Sequence, residues 1–173
     1  EIRTYFESIP KDSVPYINSE VEIAHIVIIP EITETERARA KKKLNNLRDR
    51  IVKGEDFQTL AILYSEDPGS GSRGGQLPFY KRGELAPEFE ESAMTMEVGE
   101  LSMPVKSDFG YHLIELQERR GNTFRSRHIL IIPKPSADDI NVAENKLDSI
   151  RNLILDSLTN FRVAAKEFSA DKE

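Results

Sequence analysis

Cysteine is absent from the 173 residues, and with it go disulfides, thiolate catalysis and Cys-based metal sites. No run approaches the ~18 apolar residues that a membrane span needs. Glu1 opens the chain with neither a basic start nor an apolar stretch behind it, so no signal peptide is expected within residues 1–173. Positive charge is also in short supply: 24 Lys and Arg stand against 30 Asp and Glu, a net charge of −6. That balance argues against a nucleic-acid partner, because neutralising phosphates takes a basic face. The one basic concentration, Arg37 to Lys43, is broken by Ala38 and Ala40 and reads as the solvated side of a helix. An apolar content of 38% is enough for one domain or two small ones.

What the chain does contain is a copy of itself. Ala24-His25-Ile26-Val27-Ile28-Ile29-Pro30 recurs as Arg127-His128-Ile129-Leu130-Ile131-Ile132-Pro133, 103 positions later. Each run is apolar, β-branched, of strand length and closed by Pro, as suits a buried strand that ends there. A helix stripe follows each: Ala40, Leu44, Leu47 and Ile51, then Ala143, Leu147, Ile150 and Ile154. Asp56 to Ala61 and Asn160 to Ala165 form a second, shorter helix, and both copies then close on a Ser and an Asp, Ser65 with Asp67 and Ser169 with Asp171. The first copy continues to about Glu118, whereas the second has two residues left after Asp171. The expected organisation is an extension at 1–20, a domain at 21–119, a linker at 120–125 around Gly121-Asn122-Thr123, and the first half of a second domain at 126–173.

Gly69-Ser70-Gly71-Ser72-Arg73-Gly74 matches G-x-G-x-x-G, the loop that cradles a dinucleotide pyrophosphate. That fingerprint works only with a strand before it and a helix opening inside it. Here a helix ends near Tyr64, and the loop leads into Gln76-Leu77-Pro78-Phe79-Tyr80, which opens no helix. The glycine match is coincidental.

A different resemblance accounts for the loop. Ser65-x-Asp67, the Gly-rich loop, Gly74-Gly75-Gln76-Leu77, Arg82-Gly83-Glu84-Leu85, Phe89, Val98-Gly99-Glu100 and Phe109-Gly110-Tyr111-His112, after His25 on an opening strand, resemble the parvulin family of peptidyl-prolyl isomerases. The resemblance covers the first copy. Two such domains in tandem are similar to the SurA-like periplasmic foldases of Gram-negative bacteria. It implies an α+β fold: a four-stranded antiparallel sheet surrounded by about four helices, followed by the first half of a second such repeat. Strands are expected at 22–29, 101–105 and 111–117, and helices near 34–53, 56–63 and 87–95, the last with Pro87 at a first-turn position.

The resemblance implies a prolyl isomerase working on unfolded or nascent envelope proteins, periplasmic, without metal or cofactor. The alternative is a catalytically silent parvulin-fold chaperone module that grips extended segments. Rotation about an X-Pro bond costs about 20 kcal/mol because amide resonance must be broken. A catalyst for it needs an apolar slot for the pyrrolidine ring and surroundings that favour the twisted amide. The resemblance assigns the slot to Leu77, Leu85, Phe89 and Phe109, and the polar group set to His25, Asp67, Ser107 and His112. Taken singly, Leu77, Leu85 and Phe89 read as core packing, His25 and His112 as core histidines, and Asp67 as a turn residue before Pro68. Together they imply a histidine pair at the floor of the site, one ring oriented by Ser107, and a carboxylate that tunes charge at the rotating carbonyl without attacking it. Two departures from the family pattern stand out. Pro78 replaces the usual Gly, and the loop Pro30-Glu31-Ile32-Thr33-Glu34 is acidic where phosphate-directed members are basic. No preference for phosphoserine or phosphothreonine before proline is expected.

Overall fold

The computed structural model describes residues 4, 5 and 21–171. The extension expected at 1–20 lies, but for residues 4 and 5, outside the described residues. The chain divides into two compact units: Ile29–Asn152, and a smaller one joining Glu1–Ile28 to Leu153–Glu173. No helix among the described residues is long and apolar enough to cross a membrane.

In the larger unit the order is α1 (Glu34–Val52), α2 (Phe57–Tyr64), a 3-10 turn (Gly71–Arg73), β1 (Tyr80–Lys81), α3 (Pro87–Thr95), β2 (Val105–Ser107), β3 (Gly110–Arg120) and β4 (Thr123–Ile131). The strands form one antiparallel sheet in the order β1-β4-β3-β2, which makes the fold α+β. Local chemistry explains the helix limits. Asp56 accepts the Thr59 N–H as N-cap of α2, and Pro87 opens α3 where its missing N–H costs nothing.

Alternation along the two long strands sorts their side chains between the faces of the sheet. Leu113, Ile129 and Ile131 meet Ala40, Leu44, Leu47, Phe57, Leu60 and Ala61 from α1 and α2. Ile114, Leu116 and Phe124 meet Phe89, Ala93 and Met96 from α3. Lys41, Lys42 and Lys43 are exposed on α1, as expected for a solvated helix side.

Three sequence expectations need correction. Residues 22–29 form no strand; the place beside β3 is taken by β4, which carries the second copy of the repeated run. The 120–125 linker is a hairpin: Arg120 ends β3, Gly121-Asn122 make the turn with Gly121 at φ 55°, and Thr123 opens β4. The strand expected at 101–105 is a single bridge at Leu101 followed by β2 from Val105. Pro104 has no N–H to give a ladder, and at Ser102 the side-chain Oγ accepts the Ile114 N–H.

Charge explains why β4 fits beside β3. Arg127 meets its cross-strand partner Glu115 through two hydrogen bonds, 3.1 and 2.9 Å, and Arg125 meets Glu118 at 3.2 Å. At the 103-residue offset the first copy would put Ala24 opposite Glu115 and Glu22 opposite Glu118, losing one pair and setting two carboxylates face to face. It would also exchange the fully buried Phe124 for Val21. We expect Glu115→Arg to lower stability by about 1–2 kcal/mol in urea unfolding, and Arg127→Glu in the same chain to recover at least half of it. Equal stability of the single and double variants would contradict this account of strand choice.

Candidate functional site

The sheet face under α3 carries two imidazole rings among apolar side chains and the buried Ser126. Because β3 and β4 run antiparallel with Ile114 opposite His128 and His112 opposite Leu130, the histidines are diagonal neighbours on that face. Their Nδ1 atoms are 3.2 Å apart and their rings nearly parallel, at 10°. The Phe89 ring stands edge-on to both, at 5.5 Å from each. Ser107 Oγ lies 2.7 Å from His112 Nε2 and accepts the Phe109 N–H. Asp67 Oδ2 lies 2.9 Å from His128 Nε2.

These contacts make a line, Ser107–His112–His128–Asp67, whose proton order follows from its end. An ionised Asp67 only accepts, so His128 donates from Nε2 and, when neutral, offers Nδ1 as an acceptor. His112 must then donate from Nδ1 and accept the Ser107 hydroxyl at Nε2. Every ring nitrogen is satisfied by one tautomer of each ring, assigned from the network.

Electrostatics agree with that assignment. Burial, reinforced by the neighbouring His128, takes His112 down to about 4 against the opposing pull of Asp67. Burial also lowers His128, opposed by its contact with Asp67. Burial by itself would raise Asp67, but hydrogen bonds from Ser70, His128 and the Gly69 N–H outweigh it and hold the carboxyl at about 2. At neutral pH the line is therefore two neutral rings ending in a carboxylate.

The Gly-rich loop holds the acid end of this line. Asp67 accepts from the backbone N–H groups of Gly69 and Ser70, both at 3.0 Å, and from the Ser70 hydroxyl. Gly75, at φ 75°, exchanges a backbone hydrogen bond with β4: its carbonyl accepts the His128 N–H at 2.9 Å. A Cβ on Gly75 would sit 2.1 Å from the His128 carbonyl oxygen, so no other residue fits there. The glycines thus press a loop against a histidine strand.

A cleft of about 410 Å³ opens above the line, lined by Leu77, Leu85, Phe89, Phe109, Leu130 and Ile132 over Asp67, His112 and His128. All four slot residues expected from the sequence line it, with Phe109 exposed at the rim. Leu77 is tied to β4 by its N–H to the Ser126 carbonyl. Leu85 lies before α3, in a loop closed by Glu90, whose carboxylate accepts the N–H groups of Gly83, Glu84 and Leu85. Ser107 sits behind His112, buried.

Of the expected polar group set, the structure gathers Asp67, Ser107 and His112, and does not bring His25 to them. His128 occupies the position assigned to His25. In the smaller unit His25 Nε2 lies 2.9 Å from Asp171 Oδ2, while Val27 N–H donates to Ser169 Oγ and Ala170 N–H to the Val27 carbonyl. The larger unit has the same three contacts among His128, Asp67, Leu130, Ser65 and Glu66. The corners differ in solvation: the His25 and Asp171 side chains are 62% and 42% exposed, those of His128 and Asp67 8% and 20%. A cleft of about 480 Å³ beside His25 is lined by Glu22, Phe161, Arg162 and Lys166 among others, without a second histidine. Sequence reasoning did not assign Ser70, Glu90, His128, Leu130 or Ile132 to the site; the repeat itself was the signal for His128.

The depressed histidines set an acid limit on stability. His112 binds its proton at about 4 when folded and near 6.5 when unfolded, so the unfolded chain takes up more protons between these values. Its contribution is complete above 6.5 and lost as pH falls toward 4, up to about 3 kcal/mol. His128 acts in the same direction, and Asp67 adds its own loss from 3.8 down to about 2. Urea unfolding between pH 7 and 4 should show this fall, reduced in His112→Gln; a flat profile would contradict the buried neutral pair.

Known proteins are similar to this chain in sequence. The foldase PrsA 4 of Bacillus cereus is 43% identical over 110 residues, which span 64% of this chain and 36% of that protein. Chaperone SurA of Chromohalobacter salexigens is 41% identical over 102 residues, 59% of this chain and 23% of its own length. Chaperone SurA of Chromobacterium violaceum is 36% identical over 129 residues, 75% of this chain and 30% of its own. The chain thus spans well under half of these relatives. A crystal structure of the B. cereus peptidylprolyl isomerase PrsA superposes with a TM-score of 0.45 at 29% identity, covering 76% of this chain and 48% of that one. The family model described as "Rotamase: PPIC-type PPIASE domain" matches residues 25–118. The match opens on His25, in the first copy of the repeated run, and ends before β4, which carries the second. With more than half of its length inside that match, the chain belongs to the PPIC-type PPIase family of foldases and chaperones.

Proposed function

We propose that the chain catalyses cis–trans isomerisation of X-Pro bonds in unfolded or nascent polypeptides, non-covalently and without phosphate direction. The observation that carries this reading is the apolar cleft over the Ser107–His112–His128–Asp67 line. Leu77, Leu85, Phe89 and Phe109 offer the prolyl ring a dry slot. Planar amide resonance places negative charge on the carbonyl oxygen, and twisting withdraws it. A fixed carboxylate facing that oxygen disfavours the planar form more than the twisted one, which lowers the barrier by differential stabilisation. Neutral rings hold the carboxylate in place without cancelling its charge. No bond to the substrate is made. By analogy with the SurA and PrsA relatives, we propose envelope proteins as substrates and the periplasm as the compartment.

A protease-coupled proline-peptide assay tests this. Asp67→Ala, His112→Ala and His128→Ala should each lower kcat/KM by about 100-fold, the size expected when a group that acts electrostatically on the transition state is removed. His25→Ala should stay within about twofold of the parent chain, and phosphorylating the residue before proline should bring no gain. Absence of acceleration above buffer would remove the enzyme reading and leave a module that binds extended segments. Loss of activity in His25→Ala with retention in His128→Ala would show that the first copy completes the site in solution.

A further inference from the structure

We infer that Ser70 is a positioning residue of this site: its hydroxyl fixes the Asp67 carboxylate and, through it, the tautomer of His128. Ser70 is fully buried in a loop whose neighbours Pro68, Gly69 and Ser72 are exposed. Its Oγ donates to Asp67 Oδ2, the same oxygen that accepts His128 Nε2–H, and lies 2.9 Å from that ring nitrogen. The hydroxyl therefore closes a three-membered contact of carboxylate, hydroxyl and imidazole, placed where the proton of His128 must stay if the rest of the line is to keep its order. Without it, the Asp67 carboxylate is held by its two backbone donors alone, and His128 loses one of the two oxygens that distinguish Nε2 from Nδ1 as the protonated nitrogen.

The role belongs to the hydroxyl and is separable from the loop. The turn itself is closed by the Ser70 carbonyl, which accepts the N–H groups of Arg73 and Gly75 at 2.9 Å each. Those bonds survive removal of Oγ. The titratable groups facing Asp67 are His128 from β4 and, beyond it, His112 from β3; its remaining contacts, from Gly69 and Ser70 in its own loop, are uncharged.

The effect on turnover rests on the isomerase reading; the effect on the ring does not. In ¹⁵N-labelled Ser70→Ala, imidazole correlations should show His128 passing from one Nε2–H tautomer to a mixture, and the Asp67 carboxyl should titrate higher than in the parent. In the peptide assay kcat should fall about tenfold with KM within about twofold, the size expected for a lost hydrogen bond to a charged group. An unchanged tautomer and an unchanged Asp67 titration would overturn the inference, whatever the activity. If neither chain turns over peptide, the spectra still decide the role of Ser70 and only the isomerase reading falls. Should Ser70→Ala not fold, Ser70→Cys keeps the volume with a much weaker donor and is read by the same spectra.

Discussion

The candidate site depends on one polar line laid across an apolar sheet face. Two buried imidazoles are costly in such a place unless each nitrogen finds a partner. Here Ser107 supplies one end and Asp67 the other, and the 3.2 Å contact between the rings joins them. Because a carboxylate can only accept, a single charge at one end orders the protons of the whole line. The same burial that keeps the rings neutral leaves the Asp67 carboxylate only 20% exposed, in surroundings less polar than water, where a fixed charge has more effect.

Holding that line is a task shared by elements far apart in the sequence. β3 and β4 set the rings diagonally, α3 brings Phe89 against both, and the loop after α2 brings Asp67. The loop's glycines serve approach and not flexibility: Gly75 lets the backbone touch β4 at a distance that any Cβ forbids. Glu90 does comparable work on the other wall, gathering three backbone donors so that the segment carrying Leu85 stays at the cleft. A glycine-rich motif that looks like a phosphate cradle is, in this setting, a clamp on a histidine strand.

The repeated run raises a question of choice, since two stretches of nearly the same pattern could occupy one position in the sheet. The isoleucines do not decide it: Ile26 and Ile28 match Ile129 and Ile131. The flanking charges do, together with the buried Phe124, whose counterpart in the first copy is Val21. Glu115 and Glu118 on β3 accept Arg127 and Arg125 and would find Ala24 and Glu22 in the first copy. The first copy meanwhile meets the end of the second copy's helix through the same three contacts, in a corner open to water. Equivalent sequence gives a pair of His–Asp contacts in two degrees of burial.

The sequence by itself determined the helices, the strand near 111–117 and most of the cleft. Helical stripes placed α1 and α2, Pro87 placed the start of α3, and the motif order brought Asp67, Leu77, Leu85, Phe89, Phe109 and His112 into one expected site. These are local or family-wide signals, carried by spacing that any fold of this type must respect. What only the tertiary structure decided was which histidine faces His112, and what restrains Asp67. Both are settled by cross-strand charge pairing and by the burial of a small hydroxyl, contacts between residues tens of positions apart. A one-dimensional pattern records that His25 and His128 are alike; only packing against β3 tells them apart.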